Sequence, residues 1–456
     1  MRAVRPLPTG PLIAFYGDDF TGSSAAMEAT AFVGLDTVLF LEPPTPARLA
    51  AFAGYRVIGL AGVARAKSPA WMDDNLPAVF DMLASTGAPV IHYKVCSTFD
   101  SAPHIGSIGR AIDIAARRFR GWTPMIVADP HMGRWQAIGT LFAGAQGVPY
   151  RLDRHPVMAR HPTTPMAEAD LGRHLASQTQ KRVGLVDFVA MKRGGAEAQL
   201  EQQIADGAQI VSIDVLDRET LIEAGRLVWE RGAHPTFGVG SQGFEAALAA
   251  YWREAELIPE PQKTFNAGPA DRIACVSGSV SPVTAAQISC ARENGFVAIP
   301  LEAECAVDAA AWKAETMRCA AAMLAAIGQG RDPLVHTAAG PDDPAVAAFR
   351  NAVAASGAPI ESVNERVGAG LGEILDRVLT EAKLKRAVIS GGDTSGRAAS
   401  LLGVDALTAI APLAPGAPLC RAHSDRADRD GLEIALKGGQ VGAPDFFIAA
   451  RRGGAA

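Results

Sequence analysis

The chain is poor in the features that mark several large classes of protein. No apolar run approaches the roughly 18 residues that would suggest a membrane span, so no membrane partner is expected. The N-terminus, Met1-Arg2-Ala3-Val4-Arg5-Pro6, lacks the apolar centre of a secretory signal. There is no long block of Lys and Arg, and the formal net charge is −5, which argues against nucleic acid as a partner. The six cysteines are scattered without close-spaced pairs, a usage that fits reduced thiols in a cytoplasm. The nine histidines show no HExxH or comparable spacing, so no metal held by protein ligands is expected. A G-x-x-x-x-G-K-[ST] run is also missing, which excludes the common P-loop. No repeat of solenoid length is present.

What the chain does have is length and rhythm. Its 456 residues are too many for one ordinary core and suit two or three domains. Apolar residues make up 48% and charged residues 20%, a balance normal for a globular protein. From Leu12 to about Trp252, apolar runs alternate with amphipathic stretches. Strands are expected at 12–16, 37–40, 57–60, 90–93, 125–128 and 210–213, and helices at 105–119 and 220–230 among others. Pro259-Glu260-Pro261-Gln262-Lys263 to Pro269 breaks the rhythm and reads as a linker. A second alternating region runs from Ile273 to about Ala450. The expected architecture is α/β with two domains, each a mostly parallel sheet flanked by helices, and a cleft between them. The expected boundaries are residues 1–258, a linker at 259–270, and residues 271–456.

Two acid-bearing glycine turns stand near opposite ends, Gly17-Asp18-Asp19-Phe20-Thr21-Gly22 and Gly391-Gly392-Asp393-Thr394-Ser395-Gly396. Each follows an apolar run and precedes a helix-like stretch. That places it at the carboxyl edge of a sheet, where open α/β folds bind ligands and a helix start favours anions. Asp18 or Asp19 can act as a base toward a hydroxyl or hold a cation. The plainer alternative is that both acids cap and solvate the helix, with Thr21, Ser23 or Ser24 as further caps. His92 to Ser101 gathers Lys94, Ser97, Thr98 and Asp100 after another apolar run. This composition suits a small polyhydroxylated anion, or simply a polar loop before a helix starting near His104. Gly133-Arg134 and the stretch from Arg160 and His161 to Met166 add donors. Gly238-Val239-Gly240-Ser241-Gln242-Gly243 matches G-x-G-x-x-G, but the strand and acid that should follow are replaced by the linker. A glycine turn lining the cleft is the preferred reading. Ser277-Gly278-Ser279-Val280-Ser281, Gly391 to Gly396, and Lys437-Gly438-Gly439 to Gly442 give the second region three small-residue turns. Small residues let backbone N–H groups approach phosphates.

With those residues in order, the chain resembles the four-carbon acid sugar kinase family, most closely its 3-oxo-tetronate kinase branch. The resemblance spans nearly the whole chain. It rests on Asp18-Asp19-Phe20-Thr21-Gly22, Cys96 to Ser101, Gly133-Arg134, His161-Pro162 with Thr164-Pro165-Met166, Ser277-Gly278-Ser279, Gly391 to Ser395, and Ala414-Pro415-Gly416. It implies an N-terminal domain for the sugar acid, a C-terminal domain for ATP with its Mg2+, and phosphorylation of a terminal hydroxyl of a four-carbon acid. Asp19 or Asp18 would be the base. Arg65, Lys94, Ser97, Thr98, Asp100, Arg134, His161, Gly240 and Ser241 would surround the acid. ATP would take Ser277, Gly278, Ser279, Ser281, Gly391, Gly392, Asp393, Thr394, Gly438 and Gly439. A homodimer is compatible with the sequence, which fixes no oligomeric state. The chain departs from the family pattern at Gly17, at Ala102 to Gly109, and at Ala128 to Met132, all on the expected sugar side. An NAD-linked oxidoreductase using the Gly238 turn, and a sugar-acid sensor without turnover, are the rival readings.

Overall fold

The computed structural model describes residues 4–145, 147–161, 163–261, 265–391 and 398–454. The chain forms two compact units, Met1–Lys263 and Thr264–Ala456. No helix among the described residues is long and apolar enough to cross a membrane.

Among the described residues, the first unit is built on eight parallel strands. They are β1 (Ile13–Gly17), β2 (Thr37–Phe40), β3 (Val57–Ala61), β4 (Val90–Lys94), β5 (Thr123–Ile126), β9 (Val183–Val186), β10 (Ile210–Ile213) and β11 (Thr236–Gly240). Their order is β2-β3-β1-β4-β11-β5-β10-β9. All five residues of β1 and of β4 are buried, as expected where helices cover both faces and the strands read as unbroken apolar runs. The chain leaves β1 toward β2 and β3, and then returns to place β4 on the other side of β1. The sheet therefore reverses its direction of growth between β1 and β4. In open α/β sheets the crevice at such a reversal, on the carboxyl edge, is where ligands sit.

Some expected elements shift, for local reasons. The helix expected at 105–119 spans Ile108–Ala115. Ala102 and Ile105 instead form an antiparallel bridge, Gly106 turns at φ 58°, and Ser107 caps the helix by accepting the Arg110 N–H. β5 ends at Ile126 and not at Ala128, because the chain there peels off the ladder and bonds the start of the next helix. Ser241 N–H donates to the Ile126 carbonyl and the Ser241 hydroxyl to the Val127 carbonyl. Residues 134–151 form a small antiparallel meander, which the parallel rhythm does not foretell. Its strands are β6 (Arg134–Ala137), β7 (Thr140–Ala145) and β8 (Val148–Arg151). Ile138 (φ 49°) and Gly139 (φ 72°) make its first tight turn, and both backbone N–H groups donate to buried Asp214 on the loop after β10.

The described residues of the second unit form seven strands. They are β12 (Ala274–Ser277), β13 (Val297–Pro300), β14 (Pro333–His336), β15 (Arg386–Ser390), β16 (Ala406–Ala414), β17 (Ala417–His423) and β18 (Glu433–Lys437). Their order is β13-β14-β12-β15-β18-β17-β16, parallel from β13 to β18 and antiparallel through β17 and β16. Here the reversal falls between β12 and β15. Pro415-Gly416, with Gly416 at φ 77°, joins β16 to β17 as a proline–glycine turn, so this family motif is met by a hairpin.

Candidate active site

The carboxyl ends of β1, β3, β4 and β5 bring one group of the expected residues together. Asp18 N–H donates to the Lys94 carbonyl at 2.9 Å, joining the ends of β1 and β4. Arg65, in a short turn after β3, donates its backbone N–H to the Asp18 carbonyl at 2.9 Å. Its guanidinium then grips both acids: Nη2 lies 2.6 Å from Asp18 Oδ1 and 2.7 Å from Asp19 Oδ1, and Nε lies 3.3 Å from Asp18 Oδ2.

The two acids are not equivalent. Asp18 is fully buried, and both its oxygens face Arg65. Burial pushes its carboxyl above the usual range while Arg65 pulls it back, and neighbouring Asp19 adds to the rise. Asp19 is the N-cap of the helix Phe20–Ala31, as the plainer reading of the acid pair expects, and not Thr21, Ser23 or Ser24. Its Oδ1 accepts from the Gly22 N–H at 2.9 Å as well as from Arg65. No described residue bonds its Oδ2, and the side chain is 28% exposed. Capping and base chemistry are thus compatible in one carboxylate, each using a different oxygen.

Lys94 ends β4 and is only 2% exposed. Its ammonium forms no hydrogen bond or ion pair with any other described residue. A side chain at Gly22 would collide with it, so the glycine lets the amine reach the helix start. Beyond it, Cys96 and Thr98 touch at 3.0 Å, and the Thr98 hydroxyl donates to Asp100 Oδ1 at 2.6 Å. Burial raises the Cys96 thiol, which makes it a poor nucleophile at neutral pH. Phe99 holds a left-handed φ of 57°, a strained conformation for an aromatic residue. Arg134 opens β6 after the turn at Asp129–Gly133. Its guanidinium donates only to the carbonyls of Met132 and Gly133, its buried Nε has no partner, and Cys96 and Asp100 are within its electrostatic reach. Ser97 is half-buried on the same loop.

Other expected residues lie elsewhere or serve the packing. His161 Nδ1 accepts from the Thr164 N–H and contacts its hydroxyl, and no described contact ties it to the acid cluster. Gly240 and Ser241 are fully enclosed, and the Ser241 hydroxyl is held by the Val127 carbonyl at 2.6 Å. A methyl at Gly240 would strike the Ile126 carbonyl, and one at Gly243 the Ala128 carbonyl. The G-x-G-x-x-G match is therefore a strand and a helix packed closely against β5, not a pyrophosphate turn. Gly240→Ala should destabilise the unit by about 1–3 kcal/mol, measured by chemical denaturation. Unchanged stability would mean that the glycine is kept for something other than packing.

In the second unit the ends of β12, β15 and β18 converge. Gly278 N–H donates to the Ser390 carbonyl and Gly391 N–H, at φ 129°, to the Lys437 carbonyl, both at 2.9 Å. Ser281 caps the helix Pro282–Glu293, and its hydroxyl also donates to the Gly439 carbonyl. Ser279 accepts from Ser281 N–H at 3.2 Å and Thr284 Oγ1 at 3.0 Å, and Ser277 is buried beneath. Gly438 is half-buried in the turn. Gly392, Asp393 and Thr394 lie outside the described residues, as does Pro162 in the first unit. Sequence reasoning overlooked Thr284 and the turn after β14, where Thr337 N–H donates to the Ser277 carbonyl at 3.0 Å, and gave Lys437 no role of its own although it opens the third turn. The signal for Lys437 was available: a lysine closing an apolar strand directly before Gly-Gly.

Two family models divide the chain at these same units. A sugar-binding N-terminal domain matches residues 13–248, and a nucleotide-binding C-terminal domain matches residues 274–447. A 3-oxo-isoapionate kinase from Paraburkholderia graminis is 50% identical over 447 residues, covering 98% of this chain and 95% of that protein. A 3-oxo-tetronate kinase from Burkholderia multivorans is 30% identical, with 97% of each chain covered. A solved structure from Salmonella typhimurium LT2, described as a putative tRNA synthase, superposes with TM-score 0.78 at 22% identity, covering 96% of this chain and 98% of that one. That likeness shows the fold alone. The chain belongs to the four-carbon acid sugar kinase family and is a phosphotransferase with an alcohol acceptor.

Proposed function

We propose that this enzyme phosphorylates a 3-oxo sugar acid of the isoapionate type, with ATP as donor and Mg2+ carried by the nucleotide. The sugar acid binds the first unit and ATP the second. The observation that carries this reading is the division of labour at the carboxyl edge of the first sheet. Arg65 is engaged with the two acids, while Lys94 and Arg134 hold positive charge with no carboxylate in bonding contact among the described residues. An anionic substrate supplies the missing negative charge.

The chemistry follows from positions. Asp19 Oδ2 takes the proton of the acceptor hydroxyl as its oxygen attacks the γ-phosphorus, and the bond to the bridging oxygen of ADP breaks. The attack requires the hydroxyl to be held about 3–3.5 Å from the phosphorus and in line. Lys94, beside the start of the helix Phe20–Ala31, neutralises the phosphoryl oxygens in transfer. Arg134 receives the substrate carboxylate. Ser97 and Thr98 bond its hydroxyl and oxo groups. In the second unit, the Ser277–Ser281 turn, Gly391 and Gly438–Gly439 suit a triphosphate, because their small side chains leave room for it beside a helix start. Gly392, Asp393 and Thr394 belong to the same proposed site. Magnesium, when bound with the nucleotide, offsets charge on the phosphates.

The substrate preference rests on two supports. The isoapionate enzyme is the relative with 50% identity, against 30% for the tetronate enzyme. The segments that depart from the tetronate pattern, Ala102–Gly109 and Ala128–Met132, follow β4 and β5, and the second closely precedes Arg134. A coupled assay of ADP release should give a kcat/KM for 3-oxo-isoapionate at least about 100-fold above that for 3-oxo-tetronate, a gap of the size that lost polar contacts produce. Equal or better turnover of 3-oxo-tetronate overturns the substrate. The absence of sugar-acid-dependent ADP from either acid, or from threonate or erythronate, overturns the kinase reading in favour of a sensor. An absorbance change at the nicotinamide band would favour the oxidoreductase.

A further inference from the structure

We infer that Gln242 sets the affinity for the sugar acid by holding Asp129 away from Arg134. The inference rests on the reading of Arg134 as the receiver of the substrate carboxylate, and it names the residue that leaves this arginine free. Gln242 stands at the start of the helix Gly243–Glu254, directly after β11, and is 5% exposed. Its side chain makes no bond that caps this helix. It reaches the loop after β5 instead, where its Nε2 donates to Asp129 Oδ2 at 3.1 Å. The helix start that carries it is fixed on two sides. Glu245 Oε1 lies 2.6 Å from Nδ1 of His92, two residues before Lys94 on β4, and both residues are fully buried. The His92 ring also stacks on Phe244 with 4.4 Å between centroids. On the other side, an added methyl at Gly243 would come within 3.3 Å of Asp129 Cβ, so the helix start lies directly against that acid.

Asp129 and Arg134 occupy the two ends of one tight turn, in which Arg134 N–H donates to the Asp129 carbonyl at 3.0 Å. The acid lies within electrostatic reach of the guanidinium, yet Arg134 forms no ion pair among the described residues. Both carboxylate oxygens of Asp129 are engaged without it. Oδ1 accepts from His131 N–H at 3.2 Å, with His131 Nδ1 3.5 Å away, and Oδ2 takes the bond from Gln242. Asp129 is 4% exposed, so water is a poor substitute for a lost partner. Without the Gln242 amide, its Oδ2 needs another donor, and Arg134 is the adjacent cation. A charge-assisted bond between the two would occupy the group that the substrate carboxylate needs. Asp129 also belongs to Ala128–Met132, where the chain departs from the tetronate pattern. Gln242 thus acts through Asp129 as a positioning residue. Its effect falls on binding of the sugar acid and not on the transfer step.

The test is steady-state kinetics of ADP release by the full chain, with whichever of 3-oxo-isoapionate and 3-oxo-tetronate turns over faster, and with Arg134→Met as the reference variant. Gln242→Met keeps the volume and removes the donor. It should raise KM for the sugar acid at least about tenfold, the size expected when a hydrogen bond to a charged group is lost. Its kcat should stay within about twofold of the wild type and its KM for ATP should not move, the pattern of lost ground-state binding. Adding Asp129→Asn to Gln242→Met should bring KM back to within about threefold of the wild type, because a neutral amide does not compete for Arg134. Asp129→Asn alone, which needs no change at Gln242, should give a KM at or below that of the wild type. An unchanged KM in Arg134→Met overturns the carboxylate reading, and this inference with it. A raised KM in Arg134→Met beside an unchanged KM in Gln242→Met overturns the role of Gln242 alone. So does a raised KM that Asp129→Asn does not lower, or a raised KM in Asp129→Asn itself, since either means that the bond serves packing.

Discussion

Asp19→Asn is expected to lower kcat by about 10³-fold or more, with little change in nucleotide affinity. A positioned general base is worth about 10²–10⁴-fold, and no other described carboxylate combines exposure with an oxygen free to accept a proton at this edge. The substitution is clean for a structural reason. Asparagine caps a helix nearly as well as aspartate, and the capping atom Oδ1 survives as the amide oxygen bonded to Gly22. What changes is Oδ2, which becomes an NH₂ group without basicity. Thermal stability should therefore stay near that of the wild type while turnover collapses, and the loss should appear in kcat and kcat/KM together. Asp18→Asn would act differently. It removes a buried charge held by Arg65, so its effect should appear first in stability. A variant Asp19→Asn that keeps normal turnover removes Asp19 from the base role.

The parts of this site that were legible in the sequence are those in which chemistry and backbone coincide. Gly17-Asp18-Asp19 ends an unbroken apolar strand and starts a helix, so its place at a sheet edge followed from pattern alone. Lys94 and the Cys96–Ser101 loop were visible for the same reason. The partnership of Arg65 with both acids was not. It depends on β3 lying beside β1, a pairing between residues more than 40 positions apart that local spacing does not encode. Gly240 and Ser241 misled in the opposite direction. A glycine needed for close backbone packing has the same sequence signature as one that lines a ligand site, and only the Ile126 carbonyl distinguishes them. The β6–β8 meander escaped notice because its strands are short and lie partly exposed, without the continuous apolar runs of the parallel sheet. In the second unit the antiparallel β16–β17 pair reads as apolar alternation like its neighbours. Only the Pro415-Gly416 turn marks the change of direction.

Arg65→Met is expected to destabilise the protein by about 2–4 kcal/mol at pH 8, and by much less at pH 5. Removing one partner of a buried ion pair costs about 3–5 kcal/mol, because the remaining charge is left without compensation. The lower figure applies because the Arg65 side chain is 22% exposed and water can replace part of it. The pH dependence follows from Asp18. Its carboxyl is raised by burial, and Arg65 is the main influence holding it down. Without the guanidinium, the folded-state pKa rises further above the unfolded value. Such a group contributes fully to stability below its unfolded pKa, and that contribution is lost as pH rises through the folded pKa. The gap between variant and wild type should therefore widen from acid to alkaline pH in denaturant titrations. Asp18→Asn placed on top of Arg65→Met should close much of the gap at pH 8, since a neutral amide no longer needs the cation. Asp19, which keeps its bond to Gly22 but loses Arg65, should remain folded in place and turn over more slowly. A gap that does not vary with pH, or one that the second substitution does not narrow, would mean that Arg65 supports the edge through packing and that Asp18 is neutral in the native enzyme.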